Sequence, residues 1–367
     1  MTSASLLGHD LPTRKLMVMA GGTGGHVFPA LAVARELKIQ NVDVVWLGTR
    51  KGLEARVVPQ DSIPMQWITI EGLRGKSKLS LLLAPFKLSR AIWQSINALR
   101  SEQPHCVLGM GGFVSGPGAI AARMMGKKLV IHEQNAVAGL TNKVLAKIAH
   151  RVLSGFPNVI GLPARAEWVG NPVREEIKAS NRKVTTPLKV LVIGGSQGAY
   201  SFNRYLPSLF AQLLTKPDQD RFEIWHQSGR GNADKTKALY TASSIEAKVS
   251  EFIDDMAVAY QWADLLVCRA GAMTIAECCA AAKPALFVPY PFSAGDHQEF
   301  NAQVLVDAGA AKVVSNNDLQ DGSLISVLET LLSDPRELSA MGKRAANLHK
   351  NQALDSVVRI CKEMCHA

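Results

Sequence analysis

No apolar run in this 367-residue chain approaches the ~20 residues that a membrane-spanning helix needs; the best, residues 79–86, is far shorter. Aromatic residues are scarce, at 6%. With no stacking or groove-reading motif beside them, they exclude a nucleic-acid module. Six cysteines are present, and none has metal-ligand spacing. Cys268, Cys278 and Cys279 lie in apolar stretches, where buried thiols are common, and Cys361-x-x-x-Cys365 is too isolated for a zinc site. Reduced, cytosolic thiols and no metal are the expectation. Residues 1–14 include polar side chains, Gly8 and Pro12, and do not read as a secretory signal. Acidic residues are few in one half only. Residues 1–170 hold 20 Lys and Arg against 9 Asp and Glu, net +11, whereas residues 171–367 hold 21 against 22. That asymmetry points to an anionic partner for the first half, such as a phospholipid surface or a phosphorylated substrate.

Hydrophobic residues make up 47% of the chain, enough for two cores, and the length sets two domains as the expectation. Glycine is concentrated in two turns 173 residues apart, Gly21-Gly-Thr-Gly-Gly-His26 and Gly194-Gly-Ser-Gln-Gly198. Each follows a short apolar run and opens into a helical pattern. That unit presents unpaired backbone N–H groups and the positive end of a helix dipole to an anion. Around the turns the pattern alternates between strand and helix. Strands are expected over 16–20, 42–48, 105–109 and 128–132, then over 189–193, 221–226, 248–253, 265–268 and 285–289. Helices are expected over 29–38, 117–125, 141–149, 272–282, 301–308, 321–332, 335–350 and 353–364, with another from about Ala199. This alternation implies an α/β fold: two doubly wound, Rossmann-like parallel-sheet domains facing a cleft. The stretch Val169-Gly-Asn-Pro-Val-Arg174 reads as the crossing between them. Expected domains are residues 1–170 and 171–350, with a terminal helix near 351–367.

The first glycine turn is neither a dinucleotide fingerprint nor a Walker loop. The second strand ends Trp46-Leu-Gly-Thr49 without the carboxylate that would hold ribose, and no Gly-Lys-Ser/Thr follows. His26 stands at its mouth as a candidate general base. Gly109-Met-Gly-Gly-Phe-Val-Ser-Gly-Pro-Gly118 is a second flexible loop in the same half. His132-Glu-Gln-Asn135 puts four polar side chains at a strand's carboxyl end, which packing does not explain; Glu133 is the alternative base. In the second half, Ser196 is placed to donate to a phosphate, and Gly271 opens a helix carrying Glu277. Glu277 is roughly 7–8 Å along the axis from Ala272, so a diphosphate on that helix N-terminus would bring a ribose within its reach. Asp254-Asp255 reads as a helix cap rather than a metal pair, and Asp296-His-Gln298 as a cap or a ligand contact. From Leu73 to Arg100 there are six basic residues and no acidic one, with Leu79, Leu83, Phe86 and Trp93 able to share a helical side. A basic amphipathic segment of this kind reads as a membrane-surface contact carried by Arg74, Lys76, Lys78, Leu79, Leu83, Phe86 and Arg90.

In order along nearly the whole chain, the segments GGTGGHVFP, WLGT, GLRGK, VLGMGGFVSGPG, HEQNAVAGLTNK, VGNPVR, GGSQGA, WHQSG, EFIDDM, CRAGAMTIAE and PALFVP resemble the MurG family. These are bacterial N-acetylglucosaminyltransferases that complete the lipid II precursor of peptidoglycan. The resemblance implies a glycosyltransferase B type fold. It places UDP-N-acetylglucosamine in the second half and undecaprenyl-diphospho-N-acetylmuramoyl pentapeptide (lipid I) in the first, and it implies no cofactor. It implies Arg174 and Ser196 on the diphosphate, Ile253 on uracil through its backbone, and Ala272, Met273, Thr274, Ile275, Ala276 and Glu277 along the nucleoside. Gln298 would touch the sugar, on an alignment anchored at Asn301. Thr23, Gly24, Gly25 and Asn135 would line the cleft near donor sugar and acceptor. The terminal helix would return to the first domain, and the protein would sit peripherally on the cytoplasmic face of an anionic inner membrane. Two other classes stay open on the residues alone: a nucleotide-sugar epimerase or diacylglycerol glycosyltransferase, and a non-catalytic membrane-associated scaffold. The missing carboxylate after the second strand argues against a dehydrogenase.

Overall fold

The computed structural model describes residues 14–72, 83–180, 184, 186–195, 197–214 and 222–367. Arg74, Lys76, Lys78, Leu79 and Ser196 lie outside them. The apolar runs become strands buried on both faces: Leu16, Met17, Val18 and Met19 of the first are wholly inaccessible. Such strands need helices on either side, which is the architecture of parallel sheets.

The first sheet consists of β1 (Lys15–Met19), β2 (Asp43–Gly48), β3 (Met65–Trp67), β4 (Cys106–Gly109), β5 (Lys128–Glu133), β6 (Arg151–Ser154) and β7 (Glu167–Trp168). Their order is β3-β2-β1-β4-β5-β6-β7, and every pair is parallel. The second sheet holds β8 (Leu188–Ile193), β9 (Phe222–Gln227), β10 (Lys248–Ser250), β11 (Leu265–Cys268), β12 (Ala285–Phe287) and β13 (Ala311–Val313). Its order is β10-β9-β8-β11-β12-β13, again all parallel. Strand order reverses between β1 and β4 in one sheet and between β8 and β11 in the other. Loops leaving the carboxyl ends at such a switch point diverge and leave a crevice. Both glycine turns, after β1 and after β8, sit there.

The helix Ala353–His366 closes the chain against the first sheet. It buries Val357, Ile360 and Cys361 among Leu16, Val18 and Cys106. Lys362 Nζ donates to Gln40 Oε1 at 2.9 Å. All six cysteines are buried and unbridged. No helix among the described residues is long and apolar enough to cross a membrane.

Several boundaries differ from the pattern. The strand expected over 248–253 stops at Ser250, just beyond which the Glu251 carbonyl accepts from Gly229 N at 3.1 Å in the loop leaving β9. The helix expected over 321–332 is two, Asn316–Asp321 and Leu324–Ser333, broken at Gly322 with φ +88°. Its true start is the capping box of Ser315 and Asp318. The helix expected from Asn301 begins a turn earlier, at His297, and the one expected from Pro117 begins at Ser115. Asp255 caps Met256–Trp262 by accepting from Val258 N at 3.0 Å, as the cap reading anticipated. Strands β3, β6, β7 and β13 are two to four residues long and carry no pattern that would separate them from loops.

Candidate active site

The first glycine turn passes from Ala20 into the helix Gly24–Ile39, whose N-cap Thr23 is exposed and extended (φ −102°, ψ 160°). The β4 loop crosses directly over it. A Cβ on Gly112 (φ +80°) would collide with the Gly21 carbonyl, so only glycine allows the two loops to touch. One N–H of the turn is already engaged from within the protein. Glu54, fully buried, accepts from Gly22 N at 3.0 Å through Oε2, and from Thr49 N at 2.9 Å and Thr49 Oγ1 at 2.8 Å through Oε1. At the end of the turn, His26 is half-buried, its Nδ1 3.3 Å from Gln134 Oε1. Burial lowers its pKa below the ordinary histidine value, against the field of Glu133 and the nearby Gln134 and Met110 oxygens.

The polar end of β5 is a scaffold. His132 is wholly buried, its Nε2 2.9 Å from the Gly170 carbonyl oxygen. Glu133, also buried, accepts from Asn135 N and Nδ2 at 3.0 Å each, from Gly139 N at 3.1 Å and from Asn142 Nδ2 at 2.8 Å. Those four bonds hold the loop that presents Asn135. Asn135 reaches the second half: its Oδ1 accepts from Asn301 Nδ2 at 3.2 Å. Asn301 in turn accepts from Ala136 N at 2.8 Å and donates to the Ala270 carbonyl at 3.2 Å.

On the second sheet, a Cβ at Gly198 (φ +73°) would strike the Ser228 carbonyl. Glycine is therefore obligatory where this turn packs on β9's exit. Between the two turns lies a cleft of about 810 Å³. Thr23 and Gly25 line it from the first half; Gly194, Gln197, Arg269, Thr274 and Gln298 are among those lining it from the second. Gln298 is held by accepting through Oε1 from Ala270 N at 3.2 Å and Tyr290 N at 2.9 Å.

Arg269, unforeseen from sequence, leaves the end of β11. It donates to the Val288 and Pro289 carbonyls at 2.9 and 3.0 Å, to Ser201 Oγ at 2.7 Å and to Asn316 Oδ1 at 3.2 Å. Its guanidinium lies 4.5 Å from the Phe202 ring centre. Burial brings its pKa down to about 10. A cation one residue past a fully apolar strand was the available signal.

The other expected residues do not all meet in this cleft. Arg174 and Glu277 pair with each other at 3.3 Å, and Glu277 Oε2 accepts from Tyr260 OH at 2.9 Å. Burial raises the Glu277 pKa, with Arg174 and Tyr260 opposing. Ile275 and Ala276 line a small cavity against Phe156, Trp168 and Leu348 at the crossing between the halves. Ile253 and Ala272 are buried, while Met273 and Gly24 are half-buried. Among the described residues no three His, Cys, Asp or Glu side chains group as a metal site.

The helix Ala84–Glu102 buries Ala91, Ser95, Ala98 and Leu99 and turns its opposite side outward. Phe86 is 75% exposed and Trp93 63%, with Leu83 and Arg90 exposed beside them. Met124 and Leu140, on neighbouring helices, are exposed as well.

The model of the glycosyltransferase family 28 N-terminal domain matches residues 16–154, and that of the family 28 C-terminal domain matches residues 189–358. The UDP-N-acetylglucosamine–N-acetylmuramyl-(pentapeptide) pyrophosphoryl-undecaprenol N-acetylglucosamine transferase of Alkalilimnicola ehrlichii is 47% identical over 358 residues, 96% of this chain and 99% of that one. The like-named protein of Halorhodospira halophila is 46% identical over 97% of this chain and 100% of its own. The crystal structure of MurG from Acinetobacter baumannii superposes with a TM-score of 0.80 at 37% identity, over 95% of this chain and 99% of that one. A UDP-GlcNAc 2-epimerase from Neisseria meningitidis, 14% identical, has a TM-score of 0.64 over 96% of this chain and 100% of its own, a likeness of fold alone.

Proposed function

Because this chain belongs to glycosyltransferase family 28 and matches its N-acetylglucosaminyltransferases over nearly their whole length, we infer that it transfers N-acetylglucosamine from UDP-N-acetylglucosamine to lipid I, the undecaprenyl-diphospho-N-acetylmuramoyl pentapeptide, in peptidoglycan synthesis. The fold is the two-domain glycosyltransferase B arrangement. The observation that carries the reading is the cleft at which both topological switch points converge. A glycine turn from each sheet, Arg269 and the backbone-anchored Gln298 surround one space of about 810 Å³. Residues 171–350 form the donor domain, and residues 1–170 with the terminal helix the acceptor domain.

His26 takes the proton from the muramoyl 4-hydroxyl as that oxygen attacks the anomeric carbon of the donor. In-line attack on an α-linked sugar gives a β(1→4) product. The leaving diphosphate gathers negative charge, and the turn after β8 with the helix Tyr200–Leu213 offers N–H groups and a dipole to meet it; Ser196, outside the described residues, is the expected hydroxyl donor. Arg174 swings from Glu277 to the diphosphate, which frees Glu277 for the ribose hydroxyls. Thr274 and Gln298 contact the nucleoside and sugar; Thr23, Gly25 and Asn135 face the acceptor. Ile253 meets uracil through its backbone. Glu133, engaged by four hydrogen bonds, orders the acceptor loop. Leu83, Phe86, Arg90 and Trp93 rest on the anionic cytoplasmic face of the inner membrane, where the acceptor's lipid lies.

The test is incubation with labelled UDP-N-acetylglucosamine in EDTA, with and without a short-chain lipid I analogue. Label in the lipid only when acceptor is present supports the transferase reading. UDP or an epimerised sugar formed without acceptor overturns it in favour of an epimerase. Turnover only after magnesium is restored overturns the helix-dipole account of the leaving group.

A further inference from the structure

We propose that Gln134 is a positioning residue that holds the His26 imidazole in the tautomer with its proton on Nδ1, leaving Nε2 as the nitrogen that accepts the proton from substrate. The proposal rests on the reading of His26 as base.

The argument runs through three fixed polarities. The Met110 carbonyl oxygen can only accept, and it lies 2.8 Å from the Gln134 side-chain nitrogen. That contact sets which way round the amide sits, so Oε1 faces the other way, 3.3 Å from His26 Nδ1. Oε1 too can only accept, so the hydrogen between them belongs to Nδ1. A neutral imidazole carries a single N–H. Nε2 therefore holds the lone pair. Among the described residues no side chain bonds Nε2 and it is not one of the buried unpaired atoms; the Met110 carbonyl oxygen is the other acceptor beside the ring.

The surroundings keep this arrangement in place. Gln134 is 1% exposed, and its own carbonyl accepts from the buried Asn171 Nδ2 at 2.9 Å. Gly111 presses on the Nδ1 edge of the ring: a Cβ there would lie 2.6 Å from Nδ1. Glu133 is the charged group whose field reaches the ring, and its carboxylate is bonded to Asn135, Gly139 and Asn142 instead. A neutral amide in the orienting place has a chemical consequence. A carboxylate there would stabilise the imidazolium and fill the base with a proton near neutrality. The amide fixes the tautomer without doing so.

The tautomer is read directly from the ¹⁵N shifts of His26 in uniformly labelled full-length protein, assigned by loss of the signal in His26→Gln. The expected spectrum has a protonated Nδ1 and an unprotonated Nε2. In Gln134→Met, which keeps the volume and loses both polar atoms, the Nε2–H form appears. There kcat falls about tenfold, less than the ~10²–10⁴ of losing the base itself, while KM for UDP-N-acetylglucosamine stays within twofold. In Gln134→Glu, the acid limb of the kcat/KM profile moves to higher pH. A wild-type spectrum with the proton on Nε2 overturns the proposal. So does a Gln134→Met or Gln134→Glu protein whose tautomer and pH profile both match the wild type. A protonated Nδ1 that mixes on loss of Gln134, together with full turnover by His26→Gln, supports the tautomer assignment and overturns the base reading instead.

Discussion

Asn301 Nδ2 donates to Asn135 Oδ1 at 3.2 Å, joining a wholly buried asparagine of the second half to the loop of the first that carries the HEQN sequence. The same side chain bonds Ala136 N and the Ala270 carbonyl. One amide thus spans the cleft floor and satisfies backbone groups on both sides. Asn301→Ala leaves a buried N–H and a buried carbonyl unpaired, at about 1–3 kcal/mol for each unsatisfied group. Urea unfolding should register that loss, and kcat/KM should fall with it. A variant as stable and active as the parent would mean the two halves are held without this bridge.

A histidine acts as base only when neutral. Burial shifts the His26 pKa below the usual 6.5, so activity should hold down to a lower pH than an ordinary histidine allows and fall as pH drops through the shifted value. Glu133 opposes the shift, so Glu133→Gln should move the acid limb lower still. His26→Ala should cost about 10²–10⁴ in kcat, with donor binding little changed. The kcat/KM profile between pH 5 and 8 checks both, and an acid limb above 6.5 would contradict the assignment.

Glu277 is a mostly buried carboxylate whose pKa is raised by burial and held back by Arg174. Removing Arg174 lets it rise further. Where the folded carboxylate is ionised, Arg174→Ala leaves a charge without its partner, and that cost is lost as pH falls through the raised folded pKa, below which Glu277 is protonated in both folded proteins. Arg174 is half exposed, so the effect is expected at about 1 kcal/mol or less. Urea titrations at pH 8 and pH 4 should show the variant destabilised at the first and indistinguishable from the parent at the second. The same variant should bind UDP more weakly if Arg174 reaches the diphosphate.

Phe86 and Trp93 expose large rings on the outer face of Ala84–Glu102 with Arg90 between them. Phe86→Ser with Trp93→Ser should lower partitioning onto vesicles containing anionic lipid by tenfold or more, since burying either ring contributes of the order of 1.5–3 kcal/mol. Turnover of a water-soluble, short-chain acceptor should stay near the parent's. Replacing Arg74, Lys76, Lys78, Lys87 and Arg90 with Gln should weaken the same binding and reduce its salt dependence. Vesicle binding that survives both sets would remove this face from consideration.

Local pattern carried a large part of the fold. β1, β8 and β11 are strands of four to six residues, apolar but for one lysine each in β1 and β8, ending in glycine or a polar turn, and such runs have few alternatives in a chain with alternating helical segments. Edge strands such as β7, two residues long, have neither length nor periodicity, and they exist because a neighbouring strand offers a free edge. The break at Gly322 was likewise hidden, since a glycine inside a helical pattern can be tolerated or can terminate it.

The candidate site was legible to the extent that its residues sit next to a turn. Thr23, Gly25 and His26 belong to one glycine cluster, and Gln298 sits in the first turn of a helix. What could not be read was pairing across long separations. Glu54 takes the Gly22 N–H of the first turn from 32 residues away, Asn301 meets Asn135 across 166, and Arg174 finds Glu277 across 103. No periodicity encodes those partners.

By itself, the sequence determined the two parallel-sheet halves, the positions of the glycine turns and the family, because burial of β runs and the backbone freedom of glycine are local properties of the chain. Tertiary structure alone decided that the Gly22 N–H of the first turn is taken by Glu54. It also decided which way round the Gln134 amide lies, and hence which nitrogen of His26 is free. A hydrogen bond's direction is set by whichever donor or acceptor the fold brings to the other end.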